Sequence, residues 1–252
     1  METVYEKWIK HTTTSEMNLG FLEHLVELRD GKENPQLLES FASQGILAVP
    51  NEEFLYEHLN EMGITLEDIN YTKDEWFRLS GGFIIPVWSA NKEFLFAINY
   101  DKERGEDPNV NSGKYVNAFP TKRKEALKSM RIYGLENTEK AIEQGVIFLV
   151  EGALDKCRLE STGLPVITTM GSKLNTYQIR VLKRFKKIVN LSDNDRAGNE
   201  AKLNLIHKLK LVNIEKIPYG AKDIDDLAKE NPEKFTEFIN YLTTKYVKTK
   251  QQ

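Results

Sequence analysis

The sequence predicts an α/β protein: a parallel sheet flanked by helices, preceded by a smaller mixed α+β subdomain and an N-terminal helical segment. Three observations carry this. From Val146 onward, short apolar runs alternate with helix-patterned stretches, as strands joined by helical crossovers do. Between 81 and 145, two strand-like runs flank a short polar turn. Before residue 80, apolar residues recur at helical spacing instead.

In residues 1–80, Leu19, Phe21, Leu22, Leu25, Val26 and Leu28 predict a first helix, and Phe54 to Met62, ended by Gly63, a second. In 81–145, Gly82 to Trp88 and Glu93 to Tyr100 read as two strands, followed by a polar loop from Asp101 to Gly113. Residues 146–220 form the regular part. Val146 to Val150 is a continuous apolar run, as expected of a strand buried on both faces. A helix follows from Ala153 to about Glu160, then a strand over Pro165 to Thr169 and a helix from near Asn175. Lys187 to Leu191 gives a third strand, Ala197 to Lys210 a long helix, and Leu211 to Ile217 a further strand. Residues 221–252 are expected to hold an acidic loop and a C-terminal helix.

Composition narrows the function classes. Of 252 residues, 40% are hydrophobic and 29% charged, an ordinary globular balance. No apolar run approaches the roughly 20 residues of a membrane span, and Met1 to Glu6 does not begin a secretory signal. A cytoplasmic protein without membrane contact is expected. A single cysteine, Cys157, excludes an internal disulfide and a Cys-rich zinc ribbon within this chain. His11, His24, His58 and His207 show no ligand spacing. The net charge of −3 hides an asymmetry: residues 1–80 hold 16 acidic against 6 basic side chains, whereas the remainder holds 22 against 29. Phosphate backbones respond to a local basic face and not to the chain total; two differently charged solvated surfaces would give the same counts.

Glu151 directly follows one strand, and Asp193 and Asp195 lie just beyond another. Ligand sites of open α/β sheets sit at the carboxyl ends of strands. If these two strands are neighbours, three carboxylates converge. Two such charges about 4 Å apart repel by about 4 kcal/mol at an effective dielectric near 20, which protons or a divalent cation must relieve. Hard oxygen ligands suit Mg²⁺ or Mn²⁺, and a pair of ions would serve phosphoryl transfer. A single Asp after a strand is also the usual helix N-cap. A calcium loop fails, because Ala197 stands where its fifth position needs an oxygen ligand and Asn204 where its twelfth needs a Glu.

In this order the motifs become recognisable. Val146 to Asp155, with Glu151-Gly152 and Asp155 four residues after the Glu, resembles the first motif of TOPRIM domains. Thr169-Met170-Gly171-Ser172 resembles their glycine turn, Asp193 to Gly198 their Asp-x-Asp motif with trailing Ala-Gly, and Pro218 to Asp226 the Gly-x-Lys-Asp-x-Asp segment of primases. Upstream, Gly82 to Val87, Gly113-Lys114-Tyr115-Val116-Asn117 and Lys128 to Leu135 resemble strand, Lys-Tyr-x-Asn and Leu-Tyr-Gly-Leu motifs of bacterial-type primases. The resemblance covers roughly Leu55 to Asp226, the RNA-polymerase core of a bacterial or phage DNA primase.

That resemblance implies a TOPRIM fold and catalytic, metal-holding roles for Glu151, Asp193 and Asp195. It gives accessory acidic roles to Asp155, Asp223 and Asp225. Nucleotide or DNA contacts are expected from Lys114, Tyr115, Asn117, Lys122, Lys128, Arg131 and Arg196. Between Gly113 and Arg131 lie six basic residues and one acidic, Glu125, a stretch suited to phosphates although also compatible with a solvated helix face. The implied activity is RNA primer synthesis on single-stranded DNA from ribonucleoside triphosphates, with two Mg²⁺ or Mn²⁺ ions and no zinc. A replicative helicase or a separate zinc-binding module is an expected partner. Two departures stand out: Met62-Gly63 replaces an Arg-Gly pair, and Asn99 or Tyr100 stands where primases carry an arginine, with Arg104 nearby as a substitute. A metal-dependent TOPRIM nuclease and a non-catalytic nucleic-acid-binding replication subunit are the alternatives.

Overall fold

Two four-stranded sheets organise the chain in the computed structural model, which describes residues 7–8, 16–30, 32–65, 67–68, 77–106, 113–120, 124–170, 173–209 and 212–247. Residues 1–25 and 41–128 make one compact unit, and residues 26–40 and 129–252 the other. This division does not follow the four segments expected from sequence. Residues 129–145 belong with the parallel sheet because Ile132, Leu135 and Ala141 bury themselves in its core.

The helices before the first sheet are α1 (Glu16–Asp30) and α2 (Pro35–Ser43). The first unit holds an antiparallel sheet of β1 (Leu47–Ala48), β2 (Phe83–Trp88), β3 (Phe94–Tyr100) and β4 (Tyr115–Ala118), in that spatial order. The N-terminal segment is therefore not purely helical: β1 pairs Leu47 with Ile84. Buried Asn18 of α1 fixes this strand, its amide donating to Ile46 O (3.2 Å) and its oxygen accepting from Ala48 N (2.9 Å). Pro86, which has no N–H for a ladder, lies where β1 has already ended. Helix α3 (Glu52–Glu61) starts at Asn51, whose side chain accepts from Phe54 N, and buries Leu55 and Leu59. Trp8, Leu47, Val49, Leu79, Ile84, Ala97 and Ala118 complete that core. The short helices α4 (Lys102–Glu106) and α5 (Lys124–Ser129) flank β4 in sequence.

In the second unit, α6 (Thr138–Gln144) leads into β5 (Ile147–Val150), α7 (Ala153–Glu160), β6 (Val166–Thr168), α8 (Thr176–Leu182), β7 (Ile188–Asn190), α9 (Arg196–Lys208) and β8 (Val212–Ile214). All pairings are parallel, in the order β6-β5-β7-β8. Strand β5 is apolar throughout because both of its faces are covered. Phe148 and Val150 face a core with Leu159, Leu227 and Leu242, while Ile147 and Leu149 face Leu182, Leu205 and Leu209. Helices α10 (Ile224–Glu230) and α11 (Pro232–Tyr246) close the unit, with Pro232 in the first turn of α11, where its missing N–H costs nothing.

Tyr133 extends the β6 edge through reciprocal 2.9 Å backbone bonds with Thr168. The next residue must be glycine: at Gly134 φ is +102°, and a Cβ would lie 2.4 Å from Val166 O. The Tyr133 ring is buried beneath Lys156 Nζ, 4.2 Å from its centroid, and its hydroxyl lies 3.4 Å from Cys157 Sγ. Burial pushes the Cys157 thiol up to about 12. Among the described residues, no helix is long and apolar enough to cross a membrane.

Candidate metal centre

Strands β5 and β7 are neighbours, with Leu149 opposite Asn190, so Glu151 and the Asp193–Asp195 loop leave the same edge of the sheet. The loop is stitched in place by its middle residue. Asn194 Nδ2 donates to Ile217 O and Ala221 O, each at 2.8 Å, and Asn194 N donates to Lys222 O at 2.7 Å. These bonds tie the Asp-x-Asp loop to the segment carrying Asp223. Gly198 lets helix α9 approach closely, since a Cβ there would lie 2.1 Å from Asp193 O. On the other side, Thr168 Oγ1 donates to Glu151 O at 2.7 Å, anchoring the turn after β5 to β6.

Asp195 and Asp223 both serve as N-caps. Asp195 accepts from Gly198 N (2.9 Å) and Asp223 from Asp226 N (2.8 Å). Asp193 makes no cap, and its carboxyl is pushed up to about 7 by burial first, then by Glu151 and Asp223. Glu151 is raised by burial and by Asp195, against the opposing pull of Lys222 and Lys202. Its Oε2 is buried without a hydrogen-bond partner. The three carboxylates expected to act together are thus electrostatic neighbours. Among the described residues, however, no three His, Cys, Asp or Glu side chains stand as a ready metal-holding group. Asp195 commits one carboxylate oxygen to its helix cap, and protons or a cation would offset repulsion among the three. The residues fit a hard divalent ion: the donors are all carboxylate oxygens, one of them orphaned.

Asp155 and Asp225 have different company. Asp225 bonds Arg29 Nη2 at 2.6 Å and Arg158 Nε at 3.0 Å, while Arg158 Nη1 reaches Asp30 at 3.0 Å. Asp225 N donates to Asp155 Oδ1 at 3.3 Å. Burial, then Asp223 and Asp225, push Asp155 up to about 8. Two groups read from sequence as accessory to the metal are therefore buried in an ionic network of the second unit. Lys202 and Lys222, to which sequence reasoning assigned no role, are basic neighbours of these carboxylates. Lys202 Nζ donates to Asp193 O at 3.0 Å. Its signal was its place two turns after Asp195; that of Lys222 was its place beside Asp223.

Apart from Arg196, which directly follows Asp195, the expected nucleotide contacts lie elsewhere in the chain. Lys114 is exposed beside the Tyr115 ring (5.7 Å), which packs on Tyr100, its cross-strand partner, at 5.1 Å. Asn117 Oδ1 is buried without a hydrogen bond. Lys128 is exposed and pairs with Glu125 at 2.5 Å. Lys122 falls outside the described residues, as do Gly171 and Ser172 of the glycine turn. Arg131 is half-buried, its carbonyl accepting from Gln178 at 2.6 Å, and Arg196 is exposed against Glu200 at 3.3 Å. Arg104 Nη2 donates to Asn99 Oδ1 at 2.7 Å, which delivers a guanidinium to the end of β3.

Residues 148–228 match the Toprim-like family. The chain is 29% identical over 188 residues to a DNA primase of Mycoplasma genitalium, a match covering 71% of this chain and 29% of that protein. It is 34% identical over 136 residues to a DNA primase of Aquifex aeolicus, covering 51% and 27%. The matches thus span less than a third of the length of these relatives. Among solved structures, the RNA polymerase domain of Mycobacterium tuberculosis primase DnaG superposes with a TM-score of 0.69 at 15% identity, over 97% of this chain and 84% of that one. The zinc-binding and RNA polymerase domains of the A. aeolicus primase give 0.66 at 22% identity, over 94% and 61%. The α/β fold expected from sequence is that of primase catalytic cores.

Proposed function

We propose that this chain, a Toprim-containing core with the fold of bacterial primases, makes short RNA primers on single-stranded DNA by nucleotidyl transfer. The observation that carries this is the arrival of Glu151, Asp193 and Asp195 at one edge of adjacent parallel strands within the Toprim-like region. Those three residues would hold Mg²⁺ or Mn²⁺, with Asp223 beside them. A divalent ion bound there supplies charge neutralisation at the reacting phosphate and a more acidic attacking hydroxyl. In the reaction, the 3′-oxygen of one nucleotide bonds to the α-phosphorus of the next. The bond from that phosphorus to the bridging oxygen breaks, pyrophosphate leaves, and the hydroxyl proton passes to solvent. The protein's share is positioning: Asn194 and Gly198 hold the Asp-x-Asp loop, and Thr168 holds the turn of Glu151.

Lys114, Lys128, Arg131, Arg196 and Lys222 are assigned to phosphates of template or triphosphate, and Tyr115 to base stacking. Arg104, carried to the strand end by Asn99, replaces the arginine that primases place on the strand itself. Incubation with single-stranded DNA, ribonucleotides and Mg²⁺ or Mn²⁺, with a helicase and a zinc-binding module supplied, is expected to give oligoribonucleotides, and Asp195→Asn to give none. Absence of product from the unmodified chain under every addition overturns the proposal. One observation favours a second reading, a non-catalytic DNA-binding subunit: no three acidic, His or Cys side chains stand ready as a metal-holding group among the described residues. Tight DNA binding without turnover in the same assay would select it.

A further inference from the structure

We propose that the outer face of α8, with the turn after it, is a contact surface for a nucleic-acid backbone leading away from the carboxylate edge. The inference deepens the nucleic-acid reading above and rests on it. Between Glu160 and Asp193 the chain carries six basic residues and no acidic one, although its net charge is −3. Lys173, Arg180, Lys183, Arg184 and Lys186 are exposed, and among the described residues none of them forms an ion pair. The sixth, Lys187, is half-buried over the Tyr246 ring at 5.5 Å and stands apart from this surface.

Packing fixes where these charges point. Val181, Leu182 and Phe185 bury themselves in the core beside β5 and β7. Arg180, Lys183 and Arg184, at i, i+3 and i+4, therefore share the solvent side. Helix α8 joins β6 to β7, both parallel to β5, so it runs down from the edge that carries Glu151 and Asp193. Its start is held at that edge. Buried Gln178 donates to Thr169 O at 2.9 Å and to Arg131 O at 2.6 Å, and Asn175 Nδ2 donates to Ser129 O at 2.9 Å. The helix is thus fastened to the segment of Arg131, already assigned to phosphates. From Lys173 before the helix to Lys186 beyond it, the charges are ordered from the carboxylate edge towards the opposite one. The helix alone is about 10 Å long, the span of about three nucleotides at duplex spacing. A helix dipole favours cations at its C-terminal end. That accounts for Lys183 and Arg184, but not for Lys173, Lys186 or the missing acids. Like charges at i and i+4 repel, and a polyanion laid along the row removes that repulsion.

The test is a fluorescence-anisotropy titration of the full chain, from about 50 to about 200 mM salt. Two probes are used: a single-stranded oligodeoxynucleotide and an RNA–DNA hybrid. The combined variant Arg180→Gln, Lys183→Gln and Arg184→Gln is expected to bind at least one probe about ten- to a hundredfold more weakly. Its slope of log K against log salt should be shallower by about 2. The probe that loses affinity identifies the occupant, template strand or primer–template duplex. Arg180→Lys with Arg184→Lys keeps the charges and should keep the slope, and thermal melts confirm that both variants fold. Without any variant, bound nucleic acid should protect Lys183 and Lys186 of the unmodified chain from acylation, read by mass spectrometry. That readout decides the matter if the Gln variant does not fold. A folded Gln variant that binds both probes like the unmodified chain overturns the inference. So do lysines that react equally with and without nucleic acid. In either case the nucleic-acid reading itself survives, because the unmodified chain still binds. If the unmodified chain binds neither probe, that reading is refuted and the inference falls with it.

Discussion

Asp195 gives one oxygen to its helix and leaves the other for the centre. The two duties separate on substitution. Asparagine caps as well as aspartate, so Asp195→Asn should melt within a few degrees of the unmodified protein while primer synthesis falls at least about a hundredfold. Asp225 should behave in the opposite way. Removing it takes a carboxylate from Arg29 and from the buried Arg158, which keeps Asp30, so Asp225→Ala is expected to cost about 3 kcal/mol in denaturant unfolding. At this scale Glu151, Asp193 and Asp195 were legible because each lies just past an apolar run. Asp225 could not be told from Asp223 by sequence, since the arginine that claims it, Arg29, lies far earlier in the chain and only folding brings it near. Lys202 was hidden for a similar reason: its charge reads as one more solvated helix lysine until the helix is packed.

Among the elements, β5 was plain because both of its faces are buried and its apolar run is unbroken. Strand β1 was not, for two residues show no period, and its place is fixed by a side chain, Asn18, from a distant helix. The helix start near Asn175 is legible in the sequence, and the structure adds its capping bond, whereas the helix expected from Phe54 begins earlier, capped by Asn51. The junction of β7 with α9 depends on Gly198. Gly198→Ala forces a methyl group against the Asp193 carbonyl, which should cost about 1–3 kcal/mol. Because the displaced atom belongs to the Asp-x-Asp loop, Mn²⁺ affinity should fall together with the melting temperature. Retained affinity in a destabilised Gly198→Ala protein would show that the loop is not held from this side.

For the molecule as a whole, the acidic centre links stability to pH. Asp193 and Asp155 titrate in the folded protein near 7 and 8, above the ordinary value of 3.8. The folded state therefore binds more protons than the unfolded one between about pH 4 and pH 8, and the metal-free chain should lose stability as pH rises through that window. Urea midpoints in EDTA should be lower at pH 8 than at pH 5, and millimolar Mg²⁺ should reduce the difference by binding the ionised folded form. A flat profile in EDTA would contradict this. The lone sulfhydryl offers an independent gauge of the same fold. Cys157 sits in the interior on α7, hydrogen-bonded to Tyr133, and is almost entirely un-ionised at neutral pH. Alkylating reagents should thus modify the native protein only as fast as this region opens. The rate of iodoacetamide uptake, read by mass spectrometry, becomes a clock for local opening around α7 and Tyr133, without any engineered label.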